Sequence, residues 1–134
     1  MENSQHIYQQ TTEDIEIKAK PFFIPEKSSV EHSFYYFAYT ITIKNLGTDT
    51  VRILRRKWII RDGKGREEVV QGEGIVGEKP CMAPGEFFTY TSFCPLKTTT
   101  GSMRGKYYLE NSVGHRYWVD VPVFFLRRPE SFLH

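Results

Sequence analysis

Residues 35–44 read Tyr35-Tyr36-Phe37-Ala38-Tyr39-Thr40-Ile41-Thr42-Ile43-Lys44, and their alternation decides the fold class. Tyr35, Phe37, Tyr39, Ile41 and Ile43 share one parity, with Tyr36, Ala38, Thr40, Thr42 and Lys44 between them. Successive side chains of a strand point to opposite faces, so this period of two describes a half-buried β-strand with its odd positions inward. A helix would need apolar residues recurring near every 3.6 positions, and no window of a dozen residues carries that stripe. Little or no helix is therefore expected.

The same reading extends outward to strands at Asp14 to Lys20, Val51 to Arg61, Glu67 to Val70, Glu86 to Ser92, Gly105 to Glu110 and His115 to Leu126. Breakers separate them: Asn45-Leu46-Gly47, Asp62-Gly63-Lys64-Gly65, Pro84-Gly85 and Asn111-Ser112-Val113-Gly114. Seven or eight strands at this spacing predict an all-β sandwich or barrel. Two alternations slip. Val51 and Ile53 are odd while Trp58 and Ile60 are even, which predicts a β-bulge near Arg55-Arg56. Tyr117, Val119 and Val121 give way to Phe124 and Leu126 at Pro122, which marks an edge position or a second bulge because proline cannot donate a ladder hydrogen bond. A polar tail is expected over residues 1–13, one domain over 14–130 and a short tail over 131–134.

The chain has 134 residues, 40% of them hydrophobic and 25% charged, which suits one globular domain that needs no metal or disulfide to fold. A formal net charge of +2 is too small to announce a dedicated nucleic-acid binder, although local patches remain open. The polar start and the shortness of every apolar run predict neither a signal peptide nor a membrane helix, hence a cytoplasmic protein. In that compartment Cys81 and Cys94 are expected as free thiols, with a disulfide across the intervening loop as the alternative. His6, His32, His115 and His134 have no ligand spacing, so neither metal nor cofactor is expected.

Gly72-Glu73-Gly74-Ile75-Val76-Gly77 spells GxGxxG, yet Pro80 and Pro84 follow at once and no helix comes after. A dinucleotide fingerprint needs that helix to hold the pyrophosphate, so the match is not one. Two readings stay open: glycines serving backbone geometry in an inter-strand loop, or successive loop N–H groups forming an anion nest. The densest basic run, Arg52, Arg55, Arg56, Lys57 and Arg61, is either a solvated sheet face or an anion or partner surface. Phe34, Tyr36, Phe88, Tyr90, Tyr108 and Trp118 fall opposite the expected core positions, as an aromatic surface patch would, unless some faces are misassigned. Ser92, Asp120 and His115 invite a triad, but no nucleophile elbow surrounds Ser92.

Trp58 to Gly63, Gly72 to Pro80, Ala83 to Ser92, Leu96 to Tyr107 and Val119 to Leu126 follow one another in fixed order, and on these stretches the chain from Trp58 onward resembles the ApaG family. Tyr39 to Asn45 and Val51 to Arg56 fit the family's earlier segment. One departure is Phe93-Cys94, where the family more often has a glycine-containing turn. The resemblance implies a fibronectin type III or immunoglobulin-like sandwich of two antiparallel sheets and no established enzymatic activity. It also implies bacterial relatives linked to cobalt and magnesium resistance or efflux, often encoded beside a diadenosine tetraphosphate hydrolase. Similar eukaryotic domains are attached to an F-box subunit and to a DNA-polymerase-interacting protein. The family's glycine motif, suggested to hold pyrophosphate, maps onto Gly72, Gly74 and Gly77.

Two functions are carried forward. The first is a non-catalytic module that engages a protein partner through a sheet face or edge, with Tyr90 and Trp118 as anchors. The second is a small-anion sensor holding pyrophosphate or a nucleotide between the Gly72–Gly77 loop and Arg55, Arg56 or Arg61, in which Gly74→Val abolishes binding while the fold survives. Either is expected as a monomer or a homodimer.

Overall fold

A computed structural model describes residues 6–132. The chain forms two antiparallel sheets packed face to face, the expected fibronectin type III-like sandwich. β1 (Tyr8–Thr12), β2 (Ile15–Phe23), β3 (Tyr35–Asn45) and β7 (Phe87–Leu96) form one sheet in the order β1-β2-β3-β7. The other contains β4 (Val51–Asp62), β5 (Glu67–Glu73), β8 (Thr100–Asn111) and β9 (Arg116–Arg127) in the order β5-β4-β8-β9, with the short β6 (Cys81–Met82) also pairing β4. The only helical turn among the described residues is 3-10, at Pro25–Lys27.

The odd residues of β3 line the core as expected: Phe37, Tyr39, Ile41 and Ile43 are all buried. Across the register Ile43 faces Ile17 and Ile41 faces Ala19 on β2. The opposing sheet supplies Tyr107, Leu109, Val119 and Phe124, all without solvent exposure. At the centre Trp58 meets Tyr39, Phe124 and Tyr107 edge-on, with ring centroids 5.5, 5.9 and 6.2 Å apart. Gly105 lies beneath that indole, because a Cβ there would sit 2.8 Å from Trp58 Cε3 and 2.4 Å from the Lys57 carbonyl oxygen.

Both slips in alternation are β-bulges. The register of β4 against β8 skips between Ile53 and Arg55, so Leu54 is the extra residue, one position before the expected place. The β8/β9 register skips between Met103 and Gly105, with two β9 residues, Pro122 and Val123, opposite Arg104. Pro122 thus sits at a bulge and on an edge strand at once.

Four expectations change. Tyr8–Thr12, expected within a polar tail, pair with β2 as an edge strand. Edge pairing needs backbone more than apolar side chains, and Tyr8 packs against Phe124 and Phe125. The rest of that tail, residues 1–5, and residues 133–134 of the other lie outside the described residues. Phe132, assigned to the C-terminal tail, packs on Phe23 with centroids 4.9 Å apart, and its carbonyl accepts from Arg128 Nη1 at 2.8 Å. β7 runs through Phe93-Cys94 to Leu96 rather than ending at Ser92. Its inward residues are the even ones, because Ile43 faces Phe88 and Ile41 faces Tyr90 across the register. Phe88 and Tyr90 therefore pack against the core, while Phe87 and Phe93 are the exposed aromatics of this strand. Tyr36, Tyr108 and Trp118 do face outward in the register, as expected, and Phe34, just before β3, is exposed.

Candidate functional site

The sandwich is closed along one flank and open along the other. β1 and β2 lie against β9, whereas β7 and β5, the outer strands on the opposite side, are not sealed together. Between them opens a cleft of about 250 Å³ lined by Tyr39, Arg56, Trp58, Tyr90 and Ser92, with buried Ile75 and exposed Val76 of the glycine loop also in its wall. The bulge at Leu54 puts Arg56 there. Beyond it the even residues of β4 point inward, so Arg56 lies on the same face as Trp58 and Ile60.

Arg56 explains the first glycines of the motif. It pairs with Gly72 across β4 and β5, and a Cβ on Gly72 would lie only 2.7 Å from Arg56 Nη1 and 2.8 Å from Cζ. The guanidinium rests on the bare backbone and donates from Nη1 to the carbonyls of Glu73 at 3.0 Å and Gly74 at 3.1 Å. The last part of the motif is a tight turn. Ile75 and Glu78 bridge each other, and Val76 and Gly77 between them have φ of 47° and 80°. That pair of positive φ values is the two-residue hairpin geometry in which glycine is favoured second.

The loop therefore offers carbonyls to Arg56 rather than a ring of N–H groups to an anion. The Gly74 N–H donates to the Leu54 carbonyl at 2.7 Å, and Ile75 and Glu78 bond each other's backbone at 2.7 and 2.9 Å. The remaining expected anion ligands do not converge on the loop either. Arg55 points to the outer face and pairs with Glu73 at 3.3 Å, and Glu73 is also held by Lys79 at 2.9 Å. Those two cations, Lys79 first, hold the Glu73 carboxyl below its ordinary range. Arg61 lies five residues beyond Arg56 along β4, beside Glu67. Gly74 is a backbone position as well, with φ of 64° and a Cβ that would fall 2.2 Å from the Glu78 carbonyl oxygen. Gly74→Val consequently disturbs the turn itself and cannot separate binding from folding.

At the cleft wall two phenols, Tyr39 and Tyr90, meet a third, Tyr107, buried behind them. Tyr90 and Tyr107 share a hydrogen bond through their hydroxyls, and Tyr39 stands nearby. Burial pushes all three phenols above their ordinary values, with the Arg56 guanidinium opposing the shift. The lining thus presents neutral hydroxyls, an indole and one cation at the rim. Sequence reasoning missed this convergence of Tyr39, Tyr90, Tyr107 and Arg56. Ser92 lines the cleft, but Asp120 lies on the outer face of the other sheet, opposite Lys106, so the discounted triad is not assembled. Trp118 is also on that outer face, and hence the two expected partner anchors, Tyr90 and Trp118, lie on different surfaces.

A second concavity of about 240 Å³ lies at one end of the sandwich, lined by residues that include Glu13, Asp14, Asp49, His115 and Tyr117. Burial, followed by the charges of Glu13, Asp14 and Asp49, raises the Tyr117 phenol. No three His, Cys, Asp or Glu side chains converge as a metal site among the described residues. Cys81 and Cys94 are both free thiols. No helix among the described residues is long and apolar enough to cross a membrane.

Comparison with known proteins agrees with the architecture. A family model described as the ApaG domain matches residues 25–111. Protein ApaG of Bradyrhizobium diazoefficiens is 46% identical over 125 residues, covering 93% of this chain and 96% of that protein. Protein ApaG of Azoarcus sp. is 45% identical over 115 residues, 86% of this chain and 91% of its own. A crystal structure described as that of the ApaA protein from Bordetella pertussis superposes with a TM-score of 0.85 at 41% identity, covering 87% of this chain and 95% of that one. On its fold, on the matched domain and on relatives of this closeness over most of their length, the chain belongs to the ApaG family.

Proposed function

We propose that this chain is a non-catalytic binding module that takes an extended protein segment along the free edge of β7. The observation that carries this reading is the composition of that edge. From Phe87 to Leu96 the strand has no charged side chain, and among the described residues no strand pairs its outer side. An unpaired strand of this length is a template for another chain, and folded proteins ordinarily guard such edges with charge, proline or a covering element. Pro95 guards only one end of β7. The other edges are protected: β5 carries Glu67, Glu68 and Glu73, while β1 and β9 cover each other.

A segment added beside β7 would turn alternate side chains toward the cleft, where Tyr90, Ser92 and Arg56 offer hydroxyls and a cation. Main-chain bonds then give affinity and the cleft gives selectivity, the division of labour in strand-addition recognition. Only Nη1 of Arg56 is engaged among the described residues, which leaves the rest of its fork for a carboxylate of the partner. The neutral phenols of the cleft favour holding a ligand over transforming it. In this reading any link to cobalt or magnesium resistance runs through the protein partner.

Selection of peptides from a displayed random library, repeated on Thr91→Lys, tests the proposal. Thr91 is exposed on β7, and a lysine there places a charge on the edge. Peptides selected on the wild type should lose at least tenfold in affinity on the variant while its melting temperature holds. Peptides that bind both proteins equally would overturn the edge as the site. Sedimentation of the free protein separates a monomer with a vacant edge from a homodimer that pairs β7 with its own copy.

A further inference from the structure

We propose that the outer face of the β5-β4-β8-β9 sheet binds single-stranded nucleic acid, with bases stacked on Tyr108 and Trp118 and phosphates held by Lys57 and Lys106. This face belongs to the opposite sheet from β7, and the proposal does not depend on the reading of the cleft.

The register builds two adjoining rows. Arg55 faces Tyr108 and Tyr108 faces Trp118; in the next row Lys57 faces Lys106 and Lys106 faces Asp120. Rows two residues apart on a strand are separated by about 7 Å. In the first row the Tyr108 and Trp118 rings lie 4.9 Å apart, Trp118 is 40% exposed, and the Arg55 guanidinium lies 5.8 Å from the Tyr108 centroid. A large indole left open beside a second ring and a guanidinium is a stacking platform.

The second row is unfavourable as it stands. Lys57 and Lys106 are directly opposite, and like charges at that spacing weaken a strand pair. Among the described residues neither has a carboxylate within salt-bridge distance, although Asp120 is next in the row. A phosphate between the two ammonium groups resolves the repulsion. The surrounding arginines reinforce the field: among the described residues Arg52 forms no salt bridge, although Glu110 is opposite it and is held by Arg116, and Arg55 and Arg104 pair with exposed glutamates. Such surface pairs contribute little and yield readily to a stronger anion.

Flat rings and cations in adjoining rows match a ligand that alternates bases with phosphates, and an acidic peptide would leave the rings unused. A duplex hides its bases, whereas single strands splay them onto aromatic side chains of a sheet. The whole-chain charge of +2 conceals this face because it averages the face with acidic surfaces elsewhere.

Fluorescence anisotropy of labelled oligothymidylate and oligouridylate, at about 50 mM and about 200 mM salt, provides the test. Saturable binding with quenching of tryptophan emission is expected, and tighter binding of either oligomer supports the proposal. Trp118→Ala should weaken binding about tenfold, and Trp118→Phe should retain most of it. Lys57→Gln and Lys106→Gln should each reduce the slope of log affinity against log salt by about 0.7. Thermal melts confirm that the variants fold, and the changes at half-buried Lys57 and exposed Lys106 test the face even if Trp118→Ala does not. The proposal is overturned by an absence of saturable binding at the lower salt, by equal affinity for a duplex, by indifference to all these changes, or by full displacement with polyglutamate at matched charge.

Discussion

If the first glycine of the GxGxxG stretch exists to make room for a guanidinium, then Gly72→Ala should be harmful only while Arg56 is present. The added methyl would stand 2.7 Å from Arg56 Nη1, too close for any Cβ contact, and would lift the side chain off the carbonyls of Glu73 and Gly74. Two hydrogen bonds from a charged donor are at stake. Deeply buried bonds of this kind contribute about 1.5–3 kcal/mol each, and at this partly exposed rim the two together are expected to contribute roughly 1–2 kcal/mol. Against that stands the entropic gain of replacing glycine inside a strand, about 0.5 kcal/mol, which is available because Gly72 is not at a left-handed φ. Gly72→Ala alone should therefore cost about 1 kcal/mol, or roughly 3–5 °C in melting temperature for a domain of this size. In an Arg56→Ala background the same change should be neutral or stabilising by about 0.5 kcal/mol. Urea melts of the four proteins give the coupling directly, and a value of about 1–2 kcal/mol is expected. Equal costs of Gly72→Ala in both backgrounds would show that the glycine serves something other than the arginine, and the account of the loop would fail.

Gly105→Ala should be worse, because its Cβ meets the Lys57 carbonyl at 2.4 Å and the core indole of Trp58 at 2.8 Å; a loss of about 2–4 kcal/mol in urea melts is expected, and a loss below about 1 would contradict the packing. Burial pushes the Cys94 thiol up to about 12 while Cys81 is exposed, so a disulfide-exchange reagent at mildly alkaline pH should titrate Cys81 alone in the native protein and both thiols in denaturant. Stability should fall as pH rises above about 9. Tyr39, Tyr90, Tyr107 and Cys94 all have raised values in the fold, so above the unfolded-chain values the native state retains protons that the unfolded chain has lost, and the slope of stability against pH is negative. A flat profile of urea midpoints into the alkaline range would remove these groups from the buried set.

The parts of this structure that could be read from sequence are those in which one strand states its own orientation. β3 does so, because its aromatic and branched residues occupy one parity and threonines the other. β7 does not: Phe87 and Phe88 are adjacent, and threonines mix with aromatics, so neither parity is plainly apolar and the partner strand decides. That ambiguity turned Tyr90 from an expected surface anchor into a cleft residue. β1 escaped notice since a polar edge strand needs only its backbone and Tyr8 to hold its place. The glycine motif misled for a related reason. A local pattern invited a local ligand, whereas the group that fills the space above Gly72 comes from β4, sixteen positions earlier. The meeting of Tyr39, Tyr90 and Tyr107 is likewise a product of three strands and has no signature in any one of them.

The extra residue at Leu54 sets both proposed surfaces at once. Val51 and Ile53 are buried at odd positions, so an unbroken strand would send Arg55, Lys57 and Ile59 inward and Trp58 outward. That register would put two cations into the core and expel its central indole, each change costing several kcal/mol. The sequence Arg55-Arg56-Lys57-Trp58 thus compels a skip, and the skip reverses every side chain that follows. Arg56 is turned into the open flank, where Gly72 leaves room for it and the phenols supply hydroxyls. Arg55 and Lys57 are turned outward, beside Tyr108 and Lys106. Binding at the two surfaces would therefore be linked through the conformation of a single strand. A ligand that strains the bulge from one side should be felt on the other, whereas ligands that leave β4 in register should bind independently.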